Sequence, residues 1–210
     1  MRKLAFIMIL SLGAIAAQAD VLWDQGPAHG TYKGNWDSTT GAQELADSFV
    51  LPQDSVITGY HHYRNGEYND LGERSFHFAL FADSNNAPGA ELLSFDDDFD
   101  SIGSWGSMWG GQGNYIKQAN FTFSPFAVSG GVKYWLAVTQ NRPFGSACSA
   151  TGTLMGDGIF ASRYADYSWL TQTRLGDVVM QILGNPVPEP STMIVLGIGA
   201  AVLVRRRGRK

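Results

Sequence analysis

The sequence has 210 residues, 15 Lys and Arg against 19 Asp and Glu, a formal net charge of −4 and a single cysteine. Seven of the basic residues (Arg2, Lys3, Arg205, Arg206, Arg207, Arg209 and Lys210) lie at the two ends, so residues 20 to about 186 hold eight basic against 18 acidic side chains, a charge near −10. That balance excludes a nucleic-acid-binding body, which needs a basic footprint, and the lone Cys148 excludes an intramolecular disulfide. Stability must therefore come from a hydrophobic core, in which Cys148 is expected to pack as a small apolar group.

The first element is an export signal. Arg2 and Lys3 precede the apolar run Leu4 to Ile15, and Ala17-Gln18-Ala19 supplies a small-x-small cleavage site. Residues 1–19 read as a signal helix, leaving Asp20 as the first residue after processing. Beyond it, short apolar runs alternate with turn residues. Ser48 to Leu51 ends at Pro52, Val56 to Tyr63 reads V-I-T-G-Y-H-H-Y, and Ser75 to Phe81 places Phe76, Phe78 and Leu80 on one face. Tyr115 to Phe123, Val132 to Thr139, Ile159 to Tyr164 and Val178 to Leu183 follow. Each run is β-branched or aromatic and is bounded by turn signals such as Asn65-Gly66, Ser84 to Gly89 and Gly130-Gly131. No window outside the two ends keeps a helical apolar period for three turns. Residues 20–184 therefore predict a single all-β domain, an antiparallel β-sandwich of jelly-roll type, with Trp23, Trp36 and Trp135 in its core.

Residues 185–210 form a linker and a tail. The tail reads V-P-E-P-S-T from Val187, then 12 uncharged residues from Met193 to Val204, then the basic cluster. As a helix the apolar segment spans roughly 18 Å, short of the ~20 residues that cross a ~30 Å bilayer core comfortably. The arginines hold that end on the cytoplasmic side. A transient membrane association through a short hydrophobic helix is expected, rather than a permanent anchor.

This order of features resembles the PEP-CTERM sorting signal of exopolysaccharide-producing bacteria. Pro188, Glu189 and Pro190 match the motif, and Arg205, Arg206 and Arg207 open its basic end. The resemblance implies two processing partners, signal peptidase and an exosortase-type membrane protease. It also implies an inner-membrane intermediate and delivery to the cell surface or extracellular matrix. The body in turn resembles a domain type often found in front of this signal. Trp23-Asp24-Gln25-Gly26-Pro27, Ala46-Asp47-Ser48-Phe49, Ala87-Pro88-Gly89, Tyr134-Trp135-Leu136 and Gly176-Asp177-Val178 through Gly184 carry that likeness. Such domains are similar to jelly-roll, carbohydrate-binding-like sandwiches.

Two stretches carry candidate chemistry. In S-W-G-S-M-W-G-G-Q-G-N-Y, read as a loop, Trp105, Trp109 and Tyr115 can present flat faces to sugar rings, while Gln112 and Asn114 can hydrogen-bond hydroxyls. The competing expectation folds these aromatic rings onto the sandwich. Asp96, Asp98 and Asp100 would share one face of a strand and offer the hard oxygens that calcium prefers. EF-hand spacing fails, however, at Ser101 and Ser107, and a solvated loop with no cofactor is the alternative. His61 and His62 are adjacent and point to opposite faces of a strand, and no three convergent zinc ligands are evident. There is no G-x-S-x-G elbow, and Gly110-Gly111-Gln112-Gly113 lacks the lysine of a phosphate loop. The expectation is a non-enzymatic exported protein. A carbohydrate-binding module for extracellular polysaccharide is the first alternative and a glycan-active enzyme using two carboxylates the second.

Overall fold

The computed structural model describes residues 19–25, 28–34, 43–65, 75–109, 114–140, 148–152, 157–164, 167–172 and 177–188. The expected signal helix, the hydrophobic tail with Glu189, Pro190, Arg205, Arg206 and Arg207, and Trp36 lie outside the described residues, as does the side chain of Cys148. Every regular element among the described residues is a strand. In chain order these are β1 (Asp20–Asp24), β2 (Ala28–Gly34), β3 (Gln43–Val50), β4 (Ser55–Asn65), β5 (Ser75–Asp83), β6 (Pro88–Asp98) and β7 (Ser101–Trp109). They continue with β8 (Asn114–Val128), β9 (Lys133–Gln140), β10 (Cys148–Gly152), β11 (Phe160–Tyr164), β12 (Leu170–Gln172) and β13 (Met180–Pro186).

The strands form two antiparallel sheets. In the seven-stranded sheet β1, β13, β4 and β8 lie side by side, β7 extends the sheet beyond β8, and β10 with β2 follows β13 along β4. The six-stranded sheet runs β12-β11-β3-β9-β5-β6. If β1, β3, β4, β5, β6, β8, β9 and β13 are counted one to eight, the sheets run 1-8-3-6 and 2-7-4-5. This is the interleaved strand order of a jelly roll.

Side-chain alternation builds the core between the sheets. Phe76, Phe78 and Leu80 of β5 point inward, as the sequence pattern predicts, and meet Tyr60 of β4 and Phe121 and Phe123 of β8. Phe78 meets Phe121 at 4.9 Å and Phe123 at 4.8 Å, and Phe76 meets Phe121 at 5.3 Å, all edge to face. Rings placed this way contribute about 0.5–1.5 kcal/mol per pair beyond their burial. The adjacent histidines part as expected. His62 faces the core between Tyr60 and Phe76, and His61 faces outward.

The six-stranded sheet has a second, smaller core on its outer face. Ala161, Ala46, Ala137 and Ala79 stand in register across β11, β3, β9 and β5. Their small side chains leave a shallow surface, on which Phe81, Trp135 and Trp169 are seated. Arg163 lies 4.4 Å over the Trp169 ring and pairs with Glu44 at 2.6 Å. Trp135 is fully buried, and its Nε1 donates to Asp83 Oδ1 at 2.8 Å. Ile159 and Trp169, on either side of β11 in the chain, pack against this cluster.

Six strands, β1, β2, β6, β7, β10 and β12, lie outside the runs expected from the sequence. The acidic run belongs to β6 up to Asp98, and the start of the aromatic glycine segment, read as a loop, is strand β7. β6 is an edge strand that pairs only with β5 among the described residues, and just Leu93 and Phe95 point toward the core along its second half. An edge strand with polar outward positions gives too weak an apolar alternation to be read from sequence. The hairpin into it turns through Asn85 and Asn86, both at positive φ (56° and 61°), with Ser84 N donating to Ala87 O at 2.8 Å. Asparagine tolerates that left-handed backbone, which a two-residue hairpin turn requires.

Candidate ligand-binding face

The outer face of the seven-stranded sheet carries a straight row of polar side chains. Asp24 pairs with Gln181, Gln181 with His61, His61 with Asn120, and Asn120 with Ser101. The row crosses β1, β13, β4, β8 and β7. Five strands at a spacing of roughly 4.8 Å make it about 19 Å long. Hydrogen bonds lock most of it side to side. Gln181 Nε2 donates to Asp24 Oδ2 at 2.9 Å, and Gln181 Oε1 receives the Tyr63 hydroxyl at 2.9 Å and lies 2.8 Å from His61 Nδ1. On the other half, Gln118 Nε2 donates to Asn120 Oδ1 at 2.6 Å and Asn120 Nδ2 donates to Ser101 Oγ at 2.9 Å.

The chemistry of the partners orients each group. A carboxylate only accepts, so the Asp24 contact fixes which end of the Gln181 amide is nitrogen. Gln181 Oε1 only accepts, so His61 Nδ1 carries the hydrogen of their bond, and in the neutral ring Nε2 is an acceptor. Burial, followed by the Asp24 charge, pushes the Tyr63 phenol up to about 12. Tyr63 therefore remains a donor throughout the neutral range. His61, Gln181, Gln118 and Asn120 are half-buried, while Asp24 and Ser101 are exposed.

The sugar candidates lie on the same sheet. Trp105 and Trp109 are on β7, and Asn114 and Tyr115 begin β8, so the segment is a paired hairpin rather than a loop. Trp109 pairs with Asn114 and Met108 with Tyr115. Gln112 lies outside the described residues, as do the side chains of Trp105, Trp109, Asn114 and Tyr115. The register is irregular between Ser104 and Met108, as befits a strand interrupted by Gly103 and Gly106.

The calcium candidates divide. Asp96 and Asp98 sit on the exposed side of β6, and His77 Nδ1 lies 2.8 Å from Asp96 Oδ1. Asp100 follows the strand, past the buried Phe99, in the bend toward β7. Among the described residues no group of three His, Cys, Asp or Glu side chains is arranged to hold a metal ion. Asp97 alternates to the other side of β6, and it and Asp96 both line a groove of about 370 Å3 between β6 and β8, with Leu93, Phe95, Phe126, Thr122 and Ser124. Burial raises the Asp97 carboxyl from its usual range, opposed by the Asp98 N–H.

Three short motifs noted in the sequence converge in the interior. Asp47 of β3 is 2% exposed, and Gln25 and Asp177 are fully buried. Asp47 Oδ2 accepts from Val178 N at 2.5 Å and its Oδ1 from Ser48 N at 2.7 Å, while Gln25 Nε2 donates to Ser48 O at 3.4 Å. Burial and then the nearby Asp177 hold the Asp47 carboxyl well above the usual carboxylate range, against the pull of those N–H donors. The cluster ties the end of β1, β3 and the approach to β13 together. It faces the core, away from the polar row.

The body hands over to the tail abruptly. β13 continues through Asn185 and Pro186, which pair with Val56 and Ser55, and Val187 N donates to Asp54 O at 2.8 Å. Pro188 is exposed. No curated protein matches the chain. Residues 186–210 match the PEP-CTERM protein-sorting motif, beginning at the last residue of the final strand, so the tail is a PEP-CTERM signal and indicates export with exosortase-dependent sorting.

Proposed function

We propose that the chain is an exported, non-enzymatic protein whose sandwich body is delivered to the cell surface or extracellular matrix by its C-terminal signal. The observation that carries this reading is the match at residues 186–210 directly after the final strand. Val187 and Pro188, which lead into the motif, are exposed at the sheet margin. Deleting Pro188-Glu189-Pro190 in the native host should yield an unprocessed, membrane-retained form that keeps the tail. Secretion and mature mass identical to the parent protein would refute the proposal.

A second function, polysaccharide binding, is favoured by one specific observation. The polar row and the hairpin bearing Trp105, Trp109, Asn114 and Tyr115 belong to one sheet and share strands β7 and β8. A body of net charge near −10 suits uncharged glycans better than anionic ones.

A further inference from the structure

We propose that the outer face of the seven-stranded sheet binds an extended, uncharged polysaccharide, with Gln181, His61, Asn120 and Ser101 as the hydrogen-bonding row. This inference rests on the polysaccharide-binding reading and assigns its site. Three features separate the row from an ordinary solvated sheet face. First, it contains no Lys, Arg or Glu, the residues that usually fill such positions; amide, imidazole and hydroxyl groups take their place. Second, neighbouring side chains hold one another in fixed orientations, so little freedom remains to be lost on binding. Third, the opposite sheet's outer face is apolar instead, with Phe81 and Trp135 buried and Ile159 and Trp169 packed against them.

The internal bonds leave a mixed set of groups for a ligand. His61 Nε2 is an acceptor in the neutral ring, and Ser101 Oγ, having accepted from Asn120, still has its own hydrogen to donate. Gln118 has its carbonyl oxygen and a second amide hydrogen. A sugar hydroxyl both donates and accepts, so alternating groups along a line match a run of hydroxyls. Along β8 the same face continues from Asn120 to Thr122 and Ser124, which border the groove holding Phe95 and Phe126. A ring leaving the row thereby meets an aromatic wall. Charge selects against anionic chains, because Asp24 closes one end of the row and Asp96 and Asp97 line the groove beside Thr122 and Ser124.

The test is native affinity electrophoresis of the mature protein in gels containing a soluble β-glucan, a galactomannan or alginate. Retardation in a neutral gel and none in alginate is expected. Gln181→Ala and Asn120→Ala should each weaken binding by roughly fivefold to tenfold, the effect of losing one or two uncharged hydrogen bonds. Their urea midpoints report whether they fold. Amide chemical-shift mapping of the unaltered protein provides a check that needs no variant, and the largest shifts should fall at residues 61, 120 and 181. No retardation in any neutral gel would overturn polysaccharide binding altogether. Retardation that both variants retain, with shifts elsewhere or with loss only in a Trp105→Ala/Trp109→Ala protein, would overturn the row while leaving the binding activity standing.

Discussion

Asp47 and Asp177 together should give the folded body a stability that declines as pH rises. Asp47 is held well above the usual carboxylate range, first by burial and then by Asp177, whereas in the unfolded chain an aspartate titrates near ~3.9. A group with a raised folded value contributes its stability fully below the unfolded value and loses it as pH climbs through the folded one. Between those limits the native state keeps a proton that the unfolded chain releases, so stability falls by about 1.4 kcal/mol per pH unit. Asp177→Asn removes the repelling charge but leaves both N–H bonds to Asp47, and should flatten the decline. Asp47→Asn acts differently. Its two oxygens accept from Val178 N and Ser48 N, so an amide NH2 must confront one of those donors. Leaving a buried donor unsatisfied costs about 1–3 kcal/mol, a deficit greatest at low pH that shrinks as the parent protein loses its own advantage. Urea unfolding of residues 20–188 at pH values from 4 to 9 measures all three curves, and the many surface carboxylates are common to each. Parallel curves for the parent and Asp177→Asn, with a constant offset for Asp47→Asn, would refute the coupled-pair reasoning.

Phe121 lies among Tyr60, Phe76, Phe78, Phe99 and Phe123, so Phe121→Ala should cost about 3–5 kcal/mol; a loss below about 1 kcal/mol by urea unfolding would show that the two sheets are not joined through this ring. Gly184→Ala would drive a Cβ into the Val56 carbonyl oxygen and the Leu22 side chain and should cost about 1–3 kcal/mol. Gly103→Ala, which meets nothing within 4 Å, should stay within about 0.5 kcal/mol and serves as its control in the same thermal melts; equal losses at both positions would contradict the described packing.

Much of the body was legible in the residue pattern, because alternation is a local property. Phe76, Phe78 and Leu80 announced an inward face, and the divergence of His61 and His62 followed from the two-residue period of a strand. The β6 and β7 strands were not legible. One is an edge strand rich in aspartate and the other is interrupted by glycine, so neither displays the apolar alternation that identifies a strand.

The polar row was hidden for a deeper reason. Asp24, Ser101, His61, Asn120 and Gln181 come from five separate segments, and nothing local to any of them marks it as a neighbour of the others. Antiparallel register alone aligns them, and register is set by which faces bury their apolar residues against the opposite sheet. The buried Asp47–Asp177 pair is similar: each motif was visible alone, and only the jelly-roll crossing brought them together. The sorting route was legible in the residues alone, since a sorting signal is a linear string read by a protease, and here it follows the final described strand directly. Which polar groups share a face was settled by the fold, because it depends on how the thirteen strands among the described residues are paired.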